Sequence, residues 1–227
     1  MNRRRFTVVT AGSIFLSGCG RLSILEDNTE DTPADRTTPS AANTETGTNT
    51  ATRTNTATRT DDEEPAFGPG TDTDSIVLRL SDVPDGYEYS GETNVQTSKL
   101  RGDTRERYAS RDIVRQHARS FRRADDSTSP RLIYSEATVY QQASHAASQL
   151  RDIRDTFESN SGEIETVELA SGVTGIQVTH TNDRGTKNTL IYYHTSNLVL
   201  LVITSGQDQF YPERTQKLLV KMISDTG

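Results

Sequence analysis

Apolar residues are sparse through the first third of the chain and recur at regular spacing through the rest. A short, weakly apolar run covers Val8 to Gly18, and residues 20–75 hold almost nothing that could be buried. Ile76-Val-Leu-Arg-Leu80 reads as a short strand that ends at Asp82-Val83-Pro84-Asp85-Gly86-Tyr87, where proline and Asp-Gly demand a turn. A short helix is expected within 100–111. Ile113 to Arg123 fits helical spacing as well as a strand, but the turn-rich Ala124–Pro130 and the β-rich Leu132–Tyr140 that follow favour a hairpin. Ala143, Ala146, Ala147, Leu150, Ile153 and Phe157 then recur at three- and four-residue steps, with Ser144, His145, Gln149, Arg151, Asp152 and Asp155 between them. That is the clearest helix, with one wet face and one core face.

Glu163–Leu169, Val173–Thr181, Lys187–Thr195 and Leu198–Thr204 read as a four-stranded meander with short polar turns. Leu198-Val-Leu-Leu-Val-Ile203 is apolar at consecutive positions, so both its faces are buried and it belongs near the middle of a sheet. A last helix, with Pro212 in its first turn, buries Leu218, Leu219, Met222 and Ile223. Few connections are long enough for parallel crossovers. The expected fold class is therefore α+β, a mostly antiparallel sheet with two main helices packed on one face, formed by residues 76–227 as a single domain.

Composition explains the empty first third. The hydrophobic fraction is 31%, against roughly 45–50% in ordinary globular domains, and residues 20–75 carry 12 acidic residues against 4 arginines. Within them Asn49–Thr54 repeats letter for letter as Asn55–Thr60, and the acidic run Asp61–Glu64 and a Gly68-Pro69-Gly70 break close the segment. Residues 20–75 are expected to be a disordered Thr/Asn/Asp-rich stalk, with a root-mean-square reach on the order of 40 Å.

The N-terminus carries Arg3, Arg4 and Phe6, then the run to Leu16-Ser17-Gly18-Cys19. It resembles a twin-arginine signal peptide ending in a lipobox. A dozen weakly apolar residues fall short of the ~20 a membrane-spanning helix needs. The resemblance implies export in a folded state, cleavage before Cys19, and lipid on that cysteine as the link to the membrane. Residues 1–19 are then a signal peptide, and the mature protein sits on the outer face of the cytoplasmic membrane. Cys19 is the only cysteine, so no disulfide or thiolate metal site can form. Two lipid chains on it would hold the protein durably.

Two further likenesses concern the whole chain. The net charge of −7, with lysine only at Lys99, Lys187, Lys217 and Lys221, resembles haloarchaeal proteins, whose acidic surfaces stay hydrated in strong salt. Asp82-Val83-Pro84-Asp85-Gly86-Tyr87 with Thr138-Val139-Tyr140 resembles a loose group of small secreted lipoprotein domains of uncharacterised function. That likeness suggests the α/β sandwich of photosystem-associated lumenal and mycobacterial lipoproteins. Its motifs are turn and core residues and imply no chemistry.

Residues that carry chemistry are few. His117, His145, His180 and His194 fall in no metal-ligand spacing, and the last two stand on the order of 20 Å apart in the expected hairpin, so each is read as a surface or half-buried histidine. No G-x-S-x-G nucleophile turn or phosphate loop occurs, and Asp125-Asp126 stands in an expected exposed turn. No catalytic residue, metal ligand or cofactor is assigned. Arg107, Arg111, Arg115 and Arg119 recur every four residues and are a candidate anion-binding patch, against the alternative of a solvated face. Tyr134, Tyr140, Tyr192 and Tyr193 could line a cleft, against the commoner role of strand aromatics as core. The expected function is a non-enzymatic binding or interaction module for a protein, glycan or small ligand, with no nucleic-acid partner. The alternatives are an extracellular hydrolase, or an accessory subunit of an export or solute-uptake complex.

Overall fold

The computed structural model describes residues 65–123, 129–159, 162–170 and 172–226. The signal motif, Cys19, the stalk up to residue 64 and the Asp125-Asp126 turn lie outside the described residues. The elements run α1 (Thr73–Ile76), β1 (Tyr87–Gln96), α2 (Gly102–Ala109), β2 (Ile113–Arg123), β3 (Leu132–Tyr140), α3 (Ala143–Ser159), β4 (Glu163–Ala170), β5 (Val173–Thr181), β6 (Lys187–Thr195), β7 (Leu198–Gly206) and α4 (Pro212–Ser224).

The strands form one seven-stranded sheet in the order β1-β2-β3-β7-β6-β5-β4, antiparallel at every pairing. Two meanders, β1–β3 and β4–β7, are joined through α3 and zipped together by β3 against β7. The α+β class and the antiparallel sheet are those expected. β7 lies fourth of seven and every one of its residues is buried, as its unbroken apolar run requires.

That run also decides where the helices go. Leu198, Leu200 and Val202 point to one face and Val199, Leu201 and Ile203 to the other, so each face carries an apolar row that water must be kept from. Helix α4 covers the first row with Leu218, Leu219 and Met222, and α3 covers the second with Ala146, Leu150, Ile153 and Phe157. The two main helices thus lie on opposite faces rather than together on one, because a single helical layer could shield only one of the two rows. Each fully buried large side chain contributes roughly 1.5–3 kcal/mol. On the α4 side, Thr204 and Thr215 pair through their hydroxyl oxygens at 2.6 Å, fixing the helix to β7.

The start of the folded body differs from expectation. Ile76–Leu80 is not a strand: α1 ends at Ile76, and Leu80–Asp82 is a turn of 3-10 helix. Ile76, Val77 and Leu78 nevertheless belong to the core on the α4 face. The first strand is instead β1, which pairs only with β2 at the sheet edge and has a single buried residue, Tyr87, so it has no apolar alternation to betray it. The Asp85-Gly86 turn forms as read, with Gly86 at φ +89°.

Residues 65–75, placed in the stalk by composition, are bound to the sheet. Asn197, fully buried, donates to the carbonyls of Phe67 (2.7 Å) and Tyr140 (2.6 Å), and its Oδ1 accepts from the Phe67 amide at 3.0 Å. One side chain so satisfies three backbone groups, the part-buried amide and carbonyl of Phe67 and the buried carbonyl of Tyr140.

Candidate functional site

Two groups of polar side chains stand out, one on each face of the sheet. On the α4 face, between α1 and strands β1 and β2, Arg115 Nε donates to Thr73 Oγ1 at 2.8 Å, and Thr73 Oγ1 lies 3.4 Å from His117 Nδ1. His117 Nε2 meets Glu92 Oε1 at 2.7 Å, and Arg119 Nε donates to the same oxygen at 2.9 Å while its Nη2 pairs with Asp74. A carboxylate can only accept, so Nε2 carries the ring proton. These bonds hold the Glu92 carboxyl below its ordinary range, that from His117 contributing most.

Hydroxyl, imidazole and carboxylate follow one another here in the order of a nucleophilic triad. Thr73 and His117 are both 0% exposed, so no substrate can reach the hydroxyl. Asp74, Glu92 and His117 also stand close enough to share a metal ion, but the Arg119 guanidinium already bonds both carboxylates and is the cation of the cluster. The group is a clasp that binds the N-terminal segment to β1 and β2. His117 is therefore fully buried, unlike the surface or half-buried role expected for it.

The second group lines a part-open cleft of about 240 Å³ between α3 and the opposite face of the sheet. Alternation along β3 puts Tyr134, Glu136, Thr138 and Tyr140 on this face, while Ile133, Ala137 and Val139 enter the core on the other. Glu136 stands on the floor, accepting from the Tyr134 hydroxyl and from Thr138 Oγ1, the latter at 2.8 Å. Gln116 on β2 and Tyr192 on β6 flank it, and the Tyr108 hydroxyl of α2 donates to Gln116 Oε1 at 2.6 Å. The wall is Gln149, Asp152, Ile153 and Thr156 of α3, with Arg111 on the rim.

Tyr140 and Tyr192 are each only 5% exposed, yet among the described residues neither hydroxyl has a hydrogen-bond partner. Burial first, and the Glu136 carboxylate second, push both phenols above their ordinary range, and Tyr134 is raised by the same causes. These groups stay neutral, offering hydroxyls as donors and acceptors to whatever enters the cleft.

The four candidate arginines do not form one patch. Arg115 and Arg119 share a strand face and engage the N-terminal segment, with Arg115 Nη1 also donating to the Pro69 carbonyl at 3.1 Å. Arg107 lies on α2 and Arg111 beside the cleft on the other face. Four-residue spacing fails as a guide because the series begins on a helix and continues on a strand of period two. Of the candidate tyrosines, Tyr140 and Tyr192 line the cleft and Tyr134 bonds its floor, while Tyr193 packs on the opposite face. Glu136 carries no signal as a site residue in the sequence beyond being a charge among the β-forming residues of 132–140.

Sheet, flanking helices and cleft define an α+β module with a small part-open cleft and no exposed nucleophile–base pair among the groups described above. No family model matches the chain, and no curated protein matches it. Among solved structures the fold is similar to that of the extracellular domain of PknH from Mycobacterium tuberculosis. The identity is 10% and the TM-score 0.48, over 66% of this chain and 92% of that one. A likeness of this size transfers no chemistry from one chain to the other. Among the described residues, no helix is long and apolar enough to cross a membrane.

Proposed function

We propose that the protein is an exported module, lipid-anchored through Cys19 on the outer face of the cytoplasmic membrane, that binds a small ligand in the α3 cleft without transforming it. The observation that carries the binding reading is the part-open cleft lined by Tyr140 and Tyr192, whose hydroxyls have no partner among the described residues. Hydroxyls that line such a cleft are free to bond whatever occupies it, and a ligand there would find donors and acceptors already in place. The anchor rests on the residues before Cys19, and the non-catalytic reading on the sealing of the only hydroxyl–imidazole–carboxylate series described.

Mass spectrometry of the mature protein from its native membrane tests the anchor. A lipid adduct at Cys19, lost with release of the Cys19→Ser variant into the medium, supports it; an uncleaved, unmodified N-terminus overturns it. For the cleft, a small-molecule library is screened by thermal shift on the full chain and on Gln149→Trp, which fills the cleft from the α3 wall. Ligands that raise the melting temperature of the native chain only are expected. Shifts that persist undiminished in the variant, or none at all, would overturn the reading.

A further inference from the structure

Building on the cleft as a binding site, we infer that its ligand is a small organic compound bearing a primary or secondary ammonium group. The ammonium faces Glu136, while a short aliphatic tail lies on Ile153, Val199 and Leu201.

Charge is the first argument. Glu136 is half-buried, and its carboxylate meets only the neutral hydroxyls of Tyr134 and Thr138. Asp152 stands exposed at the mouth. Among the described residues neither carboxylate has an ion-pair partner. A carboxylate drawn out of water without a counter-charge is costly, and a cation beside it offsets that cost. The phenols report the same field, since the Glu136 charge adds to burial in pushing Tyr140 and Tyr192 up. Arg111 on the rim is the one cation lining the cleft, against two carboxylates, so an anionic ligand would meet the wrong sign at the floor.

A bare metal ion fits less well. Among the described residues, the one group of three or more His, Cys, Asp or Glu near enough to share an ion is Asp74, Glu92 and His117, on the other face. Ca²⁺ takes about six to eight oxygens, more than Glu136 and its neutral neighbours can bring together. An organic cation needs fewer: its N–H groups find acceptors in Glu136 and in the two unpartnered phenol oxygens, and the tyrosine rings favour positive charge. Size restricts the class further. The cleft's volume of about 240 Å³ lies below the usual 300–1,000 Å³ of sites for drug-sized ligands. The apolar wall of Ile153, Val199 and Leu201 suits a few methylenes rather than a second ring of hydroxyls.

The test uses the full chain with tyrosine-selective isotope labelling. Tyr140 and Tyr192 signals are followed by NMR during titration with n-butylammonium and cadaverine, each against its neutral counterpart, 1-butanol or 1,5-pentanediol. The expected result is binding of the ammonium compounds about tenfold tighter or more. Glu136→Gln, which keeps the shape and loses the charge, should bring the ratio near one; Asp152→Asn at the exposed mouth should reduce it less. Equal binding of charged and neutral probes, or a ratio unchanged in Glu136→Gln, overturns the ammonium inference while leaving the cleft as a binding site. Binding of neutral probes alone, abolished by Gln149→Trp, does the same. Signals of Tyr140 and Tyr192 that move with none of these compounds, in a chain for which the thermal-shift library also finds no cleft ligand, overturn both readings.

Discussion

His117 on β2 and Glu92 on the neighbouring edge strand meet at 2.7 Å between Nε2 and Oε1, the histidine fully buried and the glutamate partly open to water. Because the folded protein lowers the Glu92 pKa, its carboxylate stabilises the fold above the ordinary Glu value of ~4.3, and that contribution disappears as pH falls through the lowered value. Thermal unfolding measured between about pH 5 and pH 3 should show a steeper loss of melting temperature in the native chain than in Glu92→Gln, which has no charge to lose. Parallel pH profiles would mean that the clasp contributes nothing to acid stability.

Asn197→Ala should cost about 2–4 kcal/mol in chemical denaturation, because it strands the Phe67 amide and the Phe67 and Tyr140 carbonyls at once. Hydrogen exchange should rise first at Phe67. A loss confined to the β6–β7 turn, with Phe67 still protected, would show that the N-terminal segment is held by other contacts.

Tyr140→Phe and Tyr192→Phe should leave stability within about 1 kcal/mol of the native chain or raise it slightly, because neither hydroxyl has a described partner to lose. Both should weaken ligand binding. In the ligand-free protein, absorbance titration should show Tyr140 and Tyr192 ionising only well above the ordinary ~10 of a free phenol. A large loss of stability in either variant would assign the hydroxyl a structural role.

Placement of α3 and α4 on opposite faces has an energetic signature. Ile153→Val should cost about 0.5–1.5 kcal/mol and Leu219→Ala about 2–5 kcal/mol. The two belong to separate core clusters, so the double variant should lose their sum to within about 0.5 kcal/mol. Strong coupling between them would mean that the helices share one core.

Much of the fold is legible from local pattern. The β-rich runs of β3 to β6, the 3.6-residue period of α3 and α4, and the unbroken apolar run of β7 each state which sides of an element must leave water and so identify element, class and central strand, while β2 fits a helix equally well by itself and is settled by the turn and strand that follow it. The stretch ending at Cys19 is an expectation of a different kind: such a motif is read as a linear segment, owes nothing to the fold, and lies outside the described residues. Edge strand β1 is hidden because it buries only Tyr87, and a strand with so little to bury has no apolar alternation to display. Residues 65–75 have the composition of a linker yet join the body through Asn197, 130 positions away from Phe67, a contact that exists only once β6 and β7 have formed their turn. The cleft is the extreme case. Gln116, Glu136, Asp152 and Tyr192 come from β2, β3, α3 and β6, and nothing in the spacing of one predicts the presence of another. Periodicity records what each element buries; which polar groups then face each other is set by strand order and by the face each helix takes, and those are decided only when the two meanders close on β3 and β7.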